Sequence, residues 1–177
     1  MMRPGVKYYT GTDRSRPAGG ADESFDCAVL LGYHAMNGTE NGMMHHTQSS
    51  RAESRYWYNG RESGEIVQSS LVLGHFGIPV LMVTGDEATC REAHEVLGDD
   101  IVTVAVKKGW SRQSGVLVAP ERAHEMIAEC AEEALEGVDE CEAFTMDLPI
   151  EGKMVIQSPE PAEERGTQLG EKINDNT

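Results

Sequence analysis

The sequence predicts an α/β fold: a layered domain with a mainly parallel sheet flanked by helices. Three observations carry that reading. Continuous apolar runs of strand length recur at residues 27–33 (CAVLLGY), 79–84 (PVLMVT) and 101–106 (IVTVAV). Segments with apolar residues at three- and four-residue spacing alternate with these runs. Strands that are apolar on both faces are buried on both faces, which is the condition of a parallel sheet covered by helices.

Taken in order, residues 1–24 are rich in Gly, Pro, Arg and Ser and read as an irregular arm. The run at 27–33 ends near Gly32 and has the length of a buried strand. Residues 34–50 (HAMNGTENGMMHHTQSS) have no period and carry Asn37, Gly38, Asn41 and Gly42. They form a long loop, and long loops inside compact domains are usually functional or disordered. Residues 53–58 (ESRYWY) alternate as a strand does, and Asn59-Gly60 marks a turn after them.

From Ser63 to Phe76 the pattern is helical, with Ile66, Val67, Ser70, Leu71 and Leu73 at helical spacing. Gly77 stops that helix and Pro79 opens the second buried strand. Asp86 is expected to cap a helix that runs to Leu97, with Gly98 at its end. The third strand, 101–106, leads into what reads as a polar loop at 107–116 (KKGWSRQSGV). Pro120 fits a first helical position, and residues 120–136 carry Ala123, Ile127, Cys130, Ala131, Ala134 and Leu135 as one apolar stripe ended by Gly137. A last strand is expected at 153–157 (KMVIQ). Beyond it the chain is polar and acidic, as disordered tails are. The domain boundaries expected are therefore an arm at 1–24, an α/β domain at 25–157 and a tail at 158–177.

The 177 residues suit one domain with a sizeable core. Thirty acidic residues against fifteen basic ones give a formal net charge of -15. Such a chain does not neutralise a phosphate backbone or seek an anionic membrane surface, so neither nucleic acid nor membrane is expected as a partner. No run of eighteen apolar residues occurs, and the first twenty residues contain no apolar signal core, so a cytoplasmic location is expected. Cys27, Cys90, Cys130 and Cys141 form no C-x-x-C pair and read as reduced, mostly buried thiols.

Six histidines are the obvious carriers of chemistry. His34, His45 and His46 lie in the loop that follows the first buried strand, and ligands of α/β sheets bind beyond the carboxyl ends of strands. His34 either contributes to a site there or simply bonds loop carbonyls. His94 and His124, in acidic helical segments, read as solvated. His75 sits where a helix C-terminus favours it. Glu65 begins a mainly apolar helix, where the dipole favours a carboxylate and where it can also act as a metal ligand or base. Met43 and Met44 read as loop packing. Trp110 either lines a pocket or covers the sheet.

Several segments resemble, in unbroken order, the zinc-dependent D-aminopeptidases typified by the enzyme of the bacterial dipeptide-permease operon. They are LLGYHA (30–35), MNGTENG (36–42), HTQSS (46–50), NGRESGE (59–65), GIPVLMVTGD (77–86), VAVK (104–107) and SR (111–112). The resemblance covers about residues 21–157. It implies two zinc ions per subunit, removal of N-terminal D-amino acids from short peptides, and a ring-like decamer that encloses the active sites. It also implies that His34 and Glu65 are zinc ligands and that the histidine of the H-T motif, His46, is catalytic, with His45 beside it as the alternative.

The family's opening Asp-x-Glu-Gly strand and its Asn-Asp-x-His segment have no counterpart in this sequence. The chain is therefore expected to be an internal piece, truncated at both ends, with an incomplete metal site and little activity. Three functions remain in view. One is a metallo-aminopeptidase acting on short D-amino-acid peptides. Another is a non-catalytic oligomerisation or interaction module that keeps the peptidase fold. A third is a single-metal amidase using His34, Glu65 and His45. Metal stoichiometry separates them.

Overall fold

A computed structural model of the chain describes residues 5–9, 18, 20–51 and 53–157. The expected tail, and most of the expected arm, lie outside the described residues. In chain order the elements are β1 (Ala28–Leu30), β2 (Arg55–Tyr58), β3 (Arg61–Glu62), α1 (Glu65–His75), β4 (Val80–Asp86), α2 (Glu87–Leu97), β5 (Val102–Ser111), β6 (Ser114–Leu117), α3 (Pro120–Glu136), a 3-10 turn (Val138–Glu140) and β7 (Gly152–Val155).

The main sheet has the order β1-β4-β5-β6. β1 and β5 flank β4 in parallel, and β6 closes the far edge in antiparallel fashion. The fold is thus mixed α/β with a mainly parallel sheet between helices. Every residue of β4 is buried, as a central strand covered on both faces must be. One core joins Leu30, Val80 and Val83 to Ile66 and Leu73 of α1 and Ala93 of α2. The other joins Leu81, Met82 and Val104 to α3 through Met126, Ile127, Cys130, Ala131 and Ala134. The four cysteines are unbonded to one another, with Cys90 buried and the others half-buried.

Local signals explain the helix ends. Asp86 caps α2 by accepting the Thr89 N–H, and Gly98 follows Leu97 at a positive φ of 96°. Pro120 stands in the first turn of α3. Gly77, at φ 73°, ends the turn after α1, where the N–H groups of Phe76, Gly77 and Ile78 close on Leu73 and Gly74.

Residues 107–116 are not a loop. β5 continues to Ser111, turns at Arg112 and Gln113, and returns as β6. The reason is visible at Gly109 and Gly115, which pair across the hairpin. A Cβ on Gly109 would collide with the Asn41 carbonyl, and one on Gly115 would meet the Met43 sulfur at 2.7 Å. The hairpin is polar because most of its residues are exposed, and its glycines let it press against the 34–50 loop. Trp110 stands on this hairpin and is 63% exposed.

A second, antiparallel sheet has the order β3-β2-β7. It pairs Trp57 with Lys153, whose ammonium lies 4.8 Å over the indole ring. This pairing carries the chain after α3 back to the segment just before α1.

Candidate metal centre

Three positions, His34, His46 and Glu65, bring candidate donor atoms together, and each is set by a different device. Beyond β1, Thr84 of β4 accepts the Gly32 N–H through its hydroxyl at 2.8 Å and the Tyr33 N–H through its carbonyl at 2.8 Å. The chain therefore runs on beside β4 and delivers His34 past the carboxyl end of β1. The Tyr33 hydroxyl bonds Ser69 of α1 at 2.7 Å. Gly85 permits this crossing, since a Cβ there would lie 2.7 Å from the Tyr33 carbonyl.

The 34–50 loop is tied down along its length. The Met36 N–H reaches Glu92 Oε2 at 2.7 Å, the Asn37 N–H reaches the Thr47 hydroxyl at 3.1 Å and the Met43 N–H reaches Asp86 Oδ2 at 2.5 Å. The Met44 N–H reaches the Arg112 carbonyl at 2.8 Å. The His46 N–H then bonds the Ala35 carbonyl at 3.3 Å and closes the loop on itself. As a result the imidazoles of His34 and His46 stack, with centroids 3.9 Å apart and planes at 18°.

Glu65 opens α1 behind Gly64, and its Oε1 accepts the Gln48 N–H at 2.7 Å. That same oxygen stands 3.8 Å from Nε2 of His34 and 3.8 Å from Nε2 of His46. The Nδ1 atoms face main-chain carbonyls, His34 on Ala35 at 3.1 Å and His46 on Met44 at 2.7 Å. Carbonyls only accept, so both Nδ1 atoms carry the proton and both Nε2 atoms present a lone pair in the neutral rings. Two lone pairs and a carboxylate oxygen, too far apart to bond one another, are arranged as donors to a cation. Their ligating atoms all lie within 4.8 Å of one another, and no other such trio occurs among the described residues. Zinc bonds to nitrogen and oxygen are about 2.1 Å, so one ion can bridge the 3.8 Å gaps at an obtuse angle.

The sequence matches the D-aminopeptidase family over residues 1–175. The chain belongs to that family. Among its relatives is a D-aminopeptidase of Bacillus subtilis (strain 168), 33% identical over 132 residues, which are 74% of this chain and 47% of the relative. Among solved structures, the Zn-dependent D-aminopeptidase DppA from Bacillus subtilis, described as a self-compartmentalizing protease, superposes with a TM-score of 0.88 at 27% identity. That match covers 98% of this chain and 62% of DppA. This D-aminopeptidase-family chain thus spans about half to three-fifths of the length of these relatives.

The other histidines of this family member sit elsewhere. His45 turns away from the trio, and its Nδ1 accepts the Gly38 N–H at 3.0 Å. Burial, then the charges of Arg112 and His46, hold it below the usual imidazole range. His75 lies in the last turn of α1, edge-on to Phe76. His124 is exposed. His94 differs from the solvated residue expected, because it is half-buried and bridges the end of α2 to β5, with Nε2 on the Thr103 hydroxyl at 3.1 Å and Nδ1 on the Gly98 carbonyl at 3.3 Å. Met43 packs under the hairpin as expected, whereas Met44 is 64% exposed and contributes only its main chain.

Two buried acids support the site and were not singled out as supports by spacing. Asp86 is fully buried and accepts the Thr89 N–H, the Thr89 hydroxyl and the Met43 N–H. Burial pushes its carboxyl up, but the Thr89 and Met43 bonds and Lys107 outweigh it, and the net result is a carboxyl below the ordinary range. Glu92 is also buried, and burial, then Glu95, Asp86 and Glu65, push its carboxyl from 4.5 to about 7 against the pull of the Met36 N–H. Its position three and four residues after Thr89 and Ala88, both buried, was the available sign that it faces inward.

Proposed function

We propose that this chain is a metallo-aminopeptidase that hydrolyses the N-terminal peptide bond of short peptides beginning with a D-amino acid, with zinc as cofactor. The observation that carries the reading is the convergence of His34 Nε2, His46 Nε2 and Glu65 Oε1. The family match and the zinc-dependent relative support the substrate and the metal.

Imidazole nitrogen and carboxylate oxygen are donors of the kind zinc takes in catalytic sites, where about three protein groups normally bind it, and His34 and Glu65 would supply two of them. His34 and Glu65 would hold the ion, and His46 would stand beside them as the proton carrier. A bound zinc would supply Lewis acidity, which polarises a carbonyl and makes water more acidic. The Met44 carbonyl fixes the His46 tautomer through Nδ1–H, so Nε2 is the atom that receives the proton of the attacking water and returns it to the leaving amine. His45 is the weaker candidate for that role, since its Nδ1 is occupied by Gly38. Two ligands are enough to seat at most one cation per chain, and hold it less firmly than the usual three. Low turnover is expected, because the family's second zinc needs further donors.

Zinc titrations of three variants test the assignment. His34→Ala and Glu65→Gln should abolish zinc binding. His46→Ala should keep zinc and lose turnover on a D-Ala dipeptide. Loss of zinc in His46→Ala would make His46 a ligand instead, and retention of zinc in the first two variants would overturn the site.

The self-compartmentalizing relative supports a homo-oligomer, and a cytoplasmic setting goes with the peptidase reading. No helix among the described residues is long and apolar enough to cross a membrane. The second reading, a non-catalytic interaction module, is favoured by the open edge of β6, where Val116 is 50% and Leu117 67% exposed. A chain that assembles but binds no zinc would establish it.

A further inference from the structure

Glu92 is 4% exposed on the inner face of α2. One of its oxygens, Oε2, accepts the Met36 N–H at 2.7 Å. The other, Oε1, is buried without a hydrogen-bond partner. Such an orphan in a native interior calls for an explanation. Packing does not supply one, because an apolar side chain of similar size fills space with no polar atom to desolvate.

The explanation lies in what the carboxyl touches. Met36 follows His34 by two residues, and Gly64 immediately precedes Glu65. Oε1 lies so close to Gly64 that a Cβ there would collide with it, and the same Cβ would come within 2.7 Å of the Met36 Cβ. Gly64 is also the N-cap of α1 and offers no side-chain cap, so the positive end of the helix dipole faces this carboxyl. A single side chain on α2 therefore contacts both backbone segments that carry the candidate donors.

We propose that Glu92 is a positioning residue, a spacer between the Met36 and Gly64 backbones that sets the separation of His34 from Glu65 and so tunes affinity for the divalent cation. The inference rests on the metal-site reading above. Glu92 itself donates nothing to the ion. Gly64 is the other half of the device, since only a residue without Cβ lets α1 approach that closely.

The test is zinc affinity of the full chain, read by competition with a chromogenic chelator, alongside the melting of the metal-free proteins. Outer supports of metal ligands typically contribute 10- to 100-fold in affinity. Glu92→Leu should bind zinc at least about tenfold more weakly than wild type, within that range. Glu92→Gln, whose amide oxygen still accepts the Met36 N–H, should recover most of the loss. A folded Glu92→Leu protein with wild-type affinity, or equal losses in Leu and Gln variants, would overturn the proposal. Should Glu92→Leu fail to fold, Gly64→Ala probes the same contact from the other side with Glu92 intact, and unchanged affinity there overturns it too. Wild-type chain that binds no zinc would instead remove the metal site, and this inference with it.

Discussion

His46 stacks on His34 with ring centroids 3.9 Å apart, though the two residues sit at opposite ends of one long loop. That contact exists because the His46 N–H closes on the Ala35 carbonyl and the Met44 carbonyl holds the ring by Nδ1. The loop is thereby a folded element, and its outer support is the β5–β6 hairpin, which takes the Met44 N–H on the Arg112 carbonyl.

The hairpin support predicts the effect of Gly109→Ala. The added methyl would strike the Asn41 carbonyl and push the hairpin off the loop. Overpacking of this kind typically costs about 1–3 kcal/mol. Urea denaturation should show that loss, and zinc affinity should fall with it. Arg112→Ala leaves the main-chain carbonyl in place and should change zinc affinity little.

Asp86 joins α2 to the loop, and its removal should be more damaging. Asp86→Ala deletes a helix cap and leaves the Met43 N–H and Thr89 hydroxyl without their acceptor. A cap is worth up to about 2 kcal/mol, and each stranded buried group adds about 1–3 kcal/mol. A loss of roughly 2.5–8 kcal/mol in chemical denaturation is expected on those figures, less for Asp86→Asn. Unchanged stability would show that the buried carboxylate is not holding these donors.

The two buried acids give opposite pH dependences. Asp86 is held below its ordinary 3.8, so its contribution is present above that value and is lost as pH falls through the lower folded value. Glu92 is raised from 4.5 to about 7, so between those values the folded chain binds more protons than the unfolded one, and stability falls as pH rises. The full shift corresponds to about 3 kcal/mol as an upper figure. Glu92→Gln removes that slope. Metal-free protein unfolded in urea at pH 5 and pH 7.5 should show Glu92→Gln gaining on wild type by a few kcal/mol at the higher pH. No gain would mean that Glu92 keeps its ordinary acidity in the fold.

Much of the framework was legible because it is written locally. The Asp86 cap, Gly98 after α2 and Pro120 at the start of α3 are short-range signals, and the apolar runs fix β4 and β5. His34 after a strand and Glu65 in a first turn were legible as separate positions. Their meeting with His46 was expected only through the family resemblance, because it depends on bonds from Ala35, Glu92 and Asp86 that span up to 56 positions. The hairpin escaped notice because glycines and exposed polar side chains mimic a loop. His94 looked solvated among its acidic neighbours, yet Thr103 lies across from it on β5.

The central claim is that His34 and Glu65 share one cation. Equilibrium dialysis against zinc, followed by elemental analysis of wild type, His34→Ala and Glu65→Gln, tests it most directly. One zinc is expected per wild-type chain, and none in either variant. Wild type without zinc, or variants that retain the full equivalent, would contradict it.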